Sequence, residues 1–186
     1  LQKLLGKGYH VRNFGVSART MLQKGDHPYM KEQAWRDAQA FRPDIVVIKL
    51  GTNDSKDFIW NAHKQDFEAD MQSMIDTLKP LVPVLDKKGR PTKKMQRAAK
   101  PEIFLCSPIK AFRDKWGITD SVIVSEVTPA IRRVAERNGL KFIDLHPVIT
   151  DEKDMTSDMI HPNEKGAARM ARAVCDAISE GGVKGE

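Results

Sequence analysis
The chain has 186 residues, enough for one domain with a buried core, and its 40% hydrophobic and 30% charged content is that of a soluble globular protein, with no apolar run of membrane length. A formal charge of +6 raises the question of a nucleic-acid partner, but seven basic residues (Lys87, Lys88, Arg90, Lys93, Lys94, Arg97, Lys100) fall together without an acidic one, and the remainder balances at 24 basic against 25 acidic. The basicity belongs to one solvated surface insertion over 86–100 that carries no interleaved aromatic for base stacking, so no nucleic-acid and no membrane partner is expected.

The opening L-Q-K-L-L-G-K-G sets Leu1, Leu4 and Leu5 at helical spacing and stops at Gly6 and Gly8, which reads as the tail of a helix. The first strand and most of that helix are therefore expected upstream of Leu1, making 1–186 a single domain that is N-terminally truncated. Tyr9–Phe14 predicts a short strand and Gly15–Thr20 the loop at its carboxyl end. After turn material at Gly25–Pro28, Ala34, Trp35, Ala38 and Phe41 mark one face of a short helix over 31–41. Ile45–Leu50 is apolar and β-branched apart from Lys49, too continuous for a strand with one wet face, and predicts the central strand of a covered parallel sheet. Gly51 breaks that pattern, and Thr52, Asn53 and Asp54 follow at the strand's carboxyl end, where open α/β sheets place their ligands.

Phe67, Met71, Met74, Ile75, Leu78 and Val82 then predict a long helix closed near Pro80 and Pro83. Beyond the basic insertion, Glu102–Ser107 reads as a buried strand. A helix carrying Ile131, Val134 and Ala135 follows, with Thr128 and Pro129 as its N-cap and first turn, and ends at Asn138-Gly139. Lys141–Leu145 is the next strand. The last helix repeats Ala167, Met170, Ala171, Val174, Cys175 and Ile178 on one face, with Asn163 placed to cap it and a polar tail over 180–186 expected to fray. Alternating strands and helices predict an α/β fold, a three-layer α/β/α sandwich around a parallel sheet. Cys106 and Cys175 lie in apolar patterns and read as buried free thiols.

The chain has no glycine-rich phosphate loop after a strand, and its five histidines (His10, His27, His63, His146, His161) form no H-E-x-x-H, so neither a metal nor an organic cofactor is expected. Asp158 and His161, three residues apart before the capped last helix, can face the same way. The carboxylate then accepts from one ring nitrogen and leaves the other aimed into the cleft, the base-and-orienter half of a nucleophilic triad.

Three blocks in order, N-F-G-V-S-A-R-T (Asn13–Thr20), G-T-N-D (Gly51–Asp54) and D-M-I-H-P-N (Asp158–Asn163), resemble blocks two, three and five of the SGNH, or GDSL-type, hydrolases, most closely the sialate and xylan O-acetylesterase-like members. The resemblance implies the family's flavodoxin-like fold and a carboxylic ester hydrolase acting on acetylated, carbohydrate-type substrates without a cofactor. It makes His161 the general base, Asp158 its orienting acid, and the Asn53 side chain with the Ala18 backbone N–H the oxyanion hole. The block-two position is usually glycine, so Ala18 implies a reshaped or narrower acyl pocket. The family's nucleophilic serine stands in a G-D-S block that this chain lacks. It is expected upstream of residue 1, where any signal for export to the periplasm or the outside would also lie, and residues 1–186 alone are expected to be inactive. Ser17, Ser55 and Ser107 read more simply as loop or cap hydroxyls. Two other readings stay open: a catalytically silent carbohydrate-binding or scaffold protein of the same fold, and a polyanion-binding protein using Lys87–Lys100.

Overall fold
A computed structural model describes residues 1–181; the tail expected to fray lies, from residue 182 on, outside the described residues. In chain order the strands are β1 (Ile45–Ile48), β2 (Leu81–Leu85), β3 (Pro91–Arg97), β4 (Glu102–Cys106) and β5 (Lys141–Ile143). The α-helices are α1 (Gln2–Leu5), α2 (Gln33–Ala40), α3 (Asp57–His63), α4 (Phe67–Leu78), α5 (Asp120–Val122), α6 (Thr128–Arg137) and α7 (Glu164–Gly181). β1, β4 and β5 pair in parallel in the order β1-β4-β5, with Val47 opposite Phe104 and Leu105 opposite Phe142.

β4 is the covered strand, and its alternation builds both faces of the sheet. Ile103 and Leu105 pack with Ile48 against Trp35 of α2, Trp60 of α3, Met71 and Ile75 of α4, and Ile131 and Val134 of α6. Phe104 and Cys106 turn the other way, onto Val174 and Ile178 of α7, with Leu1 and Leu5 at the two ends of α1 closing that side. Each of these large side chains contributes on the order of 2 kcal/mol by leaving water. The result is the three-layer α/β/α arrangement the alternation predicts. Both cysteines are free and buried, and burial pushes the Cys106 thiol up to about 12.

Several elements differ from the sequence reading. Tyr9–Phe14 forms no strand. A strand exists only as part of a ladder, and here the Gln2 side chain satisfies the backbone instead, donating to Tyr9 O and accepting from Val11 N at 2.8 Å. β1 is consequently an edge strand of the described sheet, half buried where continuous burial was expected. The helix expected to reach Val82 stops at Leu78, because Leu81–Leu85 turns back as β2 and pairs antiparallel with β3, Val82 facing Gln96. The basic insertion is thus an ordered hairpin, closed by Asp86 N donating to Arg90 O and by Gly89 in the left-handed region. Thr128 caps nothing: the helix begins at Asp120 and runs through a π-helical stretch, Ile123–Val127, into α6. That wide turn accommodates Pro129, which has no N–H to give the ladder.

Candidate active site
Parallel pairing puts the residues after β1, β4 and β5 at one edge of the sheet, and after β1 the chain turns at Gly51. Its φ is 116°, and a Cβ there would stand 2.8 Å from Val127 Cγ1 and 3.3 Å from Pro108 Cγ. Only glycine lets the chain leave β1 that close to the α6 side of the core. The turn that follows aims Asn53 and Asp54 at the loop before α2. Asn53 Nδ2 donates to Arg19 O at 3.2 Å. Asp54 is fully buried, Oδ1 accepting from Leu22 N at 2.7 Å and Oδ2 from Met21 N at 3.0 Å. Burial pushes Asp54 up to about 6 against the pull of those two N–H groups. G-T-N-D thus carries an anchor, Asp54, and a neighbouring amide free to donate once more.

The loop it anchors is Gly15–Thr20. Arg19 Nε meets Glu32 at 2.7 Å, and Thr20 exchanges backbone bonds with His27 and Tyr29. Ala18 sits among them with φ 63°, a left-handed conformation that a side chain resists and glycine does not. The sequence places an unusual alanine at this position, and the backbone here still takes the glycine-like turn.

The second cluster is self-contained. Asp158 Oδ1 accepts from the backbone N–H of Ile160 and of His161, each at 2.8 Å, and Oδ2 lies 2.9 Å from His161 Nδ1. Desolvation works to raise Asp158, but those two N–H groups and the imidazole outweigh it and hold the carboxyl well below the usual carboxylate range. The ring is more than half exposed, and His161 Nε2 has no protein partner among the described residues. Asn163 secures the turn: Oδ1 accepts from Lys165 N and Gly166 N as the cap of α7, while Nδ2 donates to Lys153 O and Met155 O.

The structure therefore brings Asp158 to His161, and Asn53 to the Ala18–Arg19 backbone. No hydrogen bond joins the two pairs among the described residues. They are bracketed by the loop after β4: Phe112 N donates to Met159 O at 3.0 Å, and Asp57 N donates to Gly117 O at 3.1 Å. Of the serines considered, Ser55 donates to Thr52 O at 2.8 Å and Ser107 to Asp144 Oδ1 at 2.8 Å, both buried. Ser107 also accepts from Leu145 N and His146 N, so its hydroxyl is a brace between β4 and β5. Ser17 is exposed and gives only its carbonyl, to Arg19 Nη1. A groove of about 450 Å³ lies beside that brace, lined by Thr128, Pro129, Arg132, Arg133, Asp144 and His146, with neither His161 nor Asn53 in its wall. Sequence reasoning gave Asp54 no role and did not mark Trp116. Their signals are an acidic residue ending a motif beyond a strand, and W-G following the charged run Arg113-Asp114-Lys115.

Residues 1–169 match the model of the GDSL-like lipase/acylhydrolase family. An acetylxylan esterase of Xylanibacter ruminicola is 52% identical over 182 residues, which is 96% of this chain but 37% of that protein; the chain thus spans little more than a third of that relative's length. Est24, a carbohydrate acetylesterase from Sinorhizobium meliloti, superposes with a TM-score of 0.70 at 20% identity over 96% of this chain and 82% of its own. The native aryl esterase of M. smegmatis does so with a TM-score of 0.70 at 19% identity and the same coverage. The last two likenesses are ones of fold.

Proposed function
The chain belongs to the GDSL-like lipase/acylhydrolase family, and from that premise we propose that it works as a serine ester hydrolase removing acetyl or short acyl groups from carbohydrate substrates. The substrate class follows the names of the acetylxylan esterase and the carbohydrate acetylesterase it is similar to. The nucleophile is a serine supplied from outside residues 1–186. Its hydroxyl attacks the ester carbonyl as His161 Nε2 takes the proton, and Asp158 holds the imidazole in the tautomer that allows it. The developing oxyanion is met by the second Asn53 amide hydrogen and the Ala18 N–H. Collapse expels the sugar oxygen, which receives the proton from His161. Water, activated by the same imidazole, then attacks the acyl-serine and releases the acid.

The observation that carries this reading is the 2.9 Å contact between His161 Nδ1 and an Asp158 carboxylate whose other oxygen is pinned by two backbone N–H groups. A surface histidine beside a helix start does not require a carboxylate so fixed. The test is hydrolysis of 4-nitrophenyl acetate by a polypeptide extended upstream through the serine, by residues 1–186 alone, and by His161→Ala and Asp158→Asn in the extended form. The extended form is expected to turn over, the short form not. His161→Ala loses at least ~10³-fold in kcat and Asp158→Asn on the order of 10²–10⁴-fold. An extended form inert on this ester and on acetylated sugars replaces the hydrolase with the silent binding protein.

A further inference from the structure
We propose that Trp116 is the platform on which the sugar ring bearing the ester stacks, beside His161. This deepens, and rests on, the esterase reading above. Lys115 N donates to Ile118 O at 3.2 Å and Ile118 N to Lys115 O at 2.9 Å, closing a two-residue turn whose centre is Trp116 (φ 56°) and Gly117 (φ 81°). A bulky residue in the left-handed region is an outlier that persists only where its surroundings over-determine it. They do so here. Gly117 O accepts from Asp57 N at the start of α3, Ile118 is buried with Ala111, Ile123 and Ile160, and Phe112 N bonds the carbonyl of Met159 in the histidine turn. The product of this bracing is an indole held out of the core. Trp116 is 55% exposed, while Trp35 and Trp60 are 7% and 3% exposed.

The indole is held where the alcohol half of an ester must lie. Its ring centroid is 6.1 Å from that of His161 with the planes at 58°, so the rings neighbour without stacking and the imidazole edge stays open. Lys115 Nζ stands 4.6 Å from the indole centroid over one face, and the side chain as a whole is 55% exposed. Phe58, 61% exposed at the start of α3, flanks the same turn: a Cβ on Gly117 would lie 3.5 Å from its ring. Two exposed aromatic side chains edged by Asp57 and Lys115 suit a saccharide, whose ring presents C–H groups to an aromatic face and hydroxyls to its polar rim.

The three tryptophans make the test direct, since Trp116 alone is exposed. Xylohexaose titrated into the 186-residue chain is expected to shift its emission saturably and to shield it from acrylamide. Trp116→Ala should abolish that signal and weaken xylohexaose binding by calorimetry at least about tenfold, with Trp116→Phe between. In the extended enzyme, the kcat/KM ratio of an acetylated xylo-oligosaccharide to 4-nitrophenyl acetate should fall on the order of tenfold in Trp116→Ala, through KM. Unchanged xylohexaose binding in that variant overturns the proposal. So does an equal loss on both esters through kcat, which would make Trp116 a positioning residue for His161. An enzyme that cleaves 4-nitrophenyl acetate but shows no saturable response to xylohexaose sinks the platform and leaves the esterase standing. A saturable response in a protein inert on every ester does the reverse.

Discussion

Replacing Asp54 by alanine removes the acceptor of two buried backbone N–H groups, Met21 at 3.0 Å and Leu22 at 2.7 Å. Leaving each unsatisfied costs about 1–3 kcal/mol. The variant also escapes a cost, because burial pushes the Asp54 carboxyl from 3.8 up to about 6, so that its ionisation opposes folding by about 3 kcal/mol at neutral pH. The two effects offset, and the net loss at pH 8 is no more than about 3 kcal/mol. The pH dependence separates them. A group whose folded value is raised stabilises most below its unfolded value and loses that contribution as pH rises through the folded one. Between pH 8 and pH 4.5 the wild-type protein regains about 2 kcal/mol at this position and the alanine variant regains none. Urea unfolding of both proteins across that range should therefore show the Asp54→Ala penalty growing by about 2 kcal/mol toward acid, other titrating groups cancelling in the difference. A penalty constant with pH, or one that grows toward alkali as for an ion-paired carboxylate, refutes the account of Asp54 as a buried anchor charged at a cost.

Three further outcomes follow from local geometry. Gly51→Ala combines φ 116° with a 2.8 Å approach to Val127 Cγ1 and should cost more than about 2 kcal/mol by thermal unfolding; Val127→Ala should restore only the steric part. Asn163→Ala, losing both cap bonds and both donations from its amide, should cost about 1–2 kcal/mol and lower kcat in the extended enzyme; an unchanged kcat would separate the cap from the histidine turn. Ala18→Gly relieves a left-handed alanine but frees the unfolded chain, so stability should move by less than about 1 kcal/mol. The ratio of kcat/KM on 4-nitrophenyl butyrate to that on the acetate should rise; an unchanged ratio would place the methyl away from the acyl site.

What could be read from the sequence was what is decided locally. Asp158 and His161 meet because they are three residues apart on one turn, and Asn163 caps α7 because its side chain reaches the next residues. The apolar face of α7 and the two-sided burial of β4 are likewise periodicities of the chain itself. Contacts set by distant segments left no such trace. Asp54 finds its partners 32 and 33 residues away. Tyr9–Phe14 has strand composition but no partner strand among the described residues, and β1 has the composition of a covered strand while standing at the edge of the described sheet. The hairpin leaves a weak trace because lysines crowd β3 and Leu81–Leu85 alternates only between exposed and half-buried positions.

Those distant contacts also decide how the site is built. The sheet brings the segments after β1, β4 and β5 to one edge, Gly15–Thr20 joins them as the first loop, and the sheet aims none of their side chains. Aiming is done by bonds from loop to loop: Asp54 and Asn53 tie the first loop to the second, Asp57 N–Gly117 O ties the second to the third, and Phe112 N–Met159 O ties the third to the histidine turn. Every link uses a backbone group, so this chain of contacts constrains main-chain position and leaves His161 and Trp116 as side chains presented outward. The basic hairpin stands outside that chain of contacts. It joins the domain through Arg97 to Asp76 at 2.6 Å, Ala98 N to Pro80 O, and Lys100 to Asp44, which precedes β1 at the end of the strand opposite to Gly51. Its charge therefore lies away from the edge that carries the candidate site, and a polyanion held there would meet neither His161 nor the Trp116 turn.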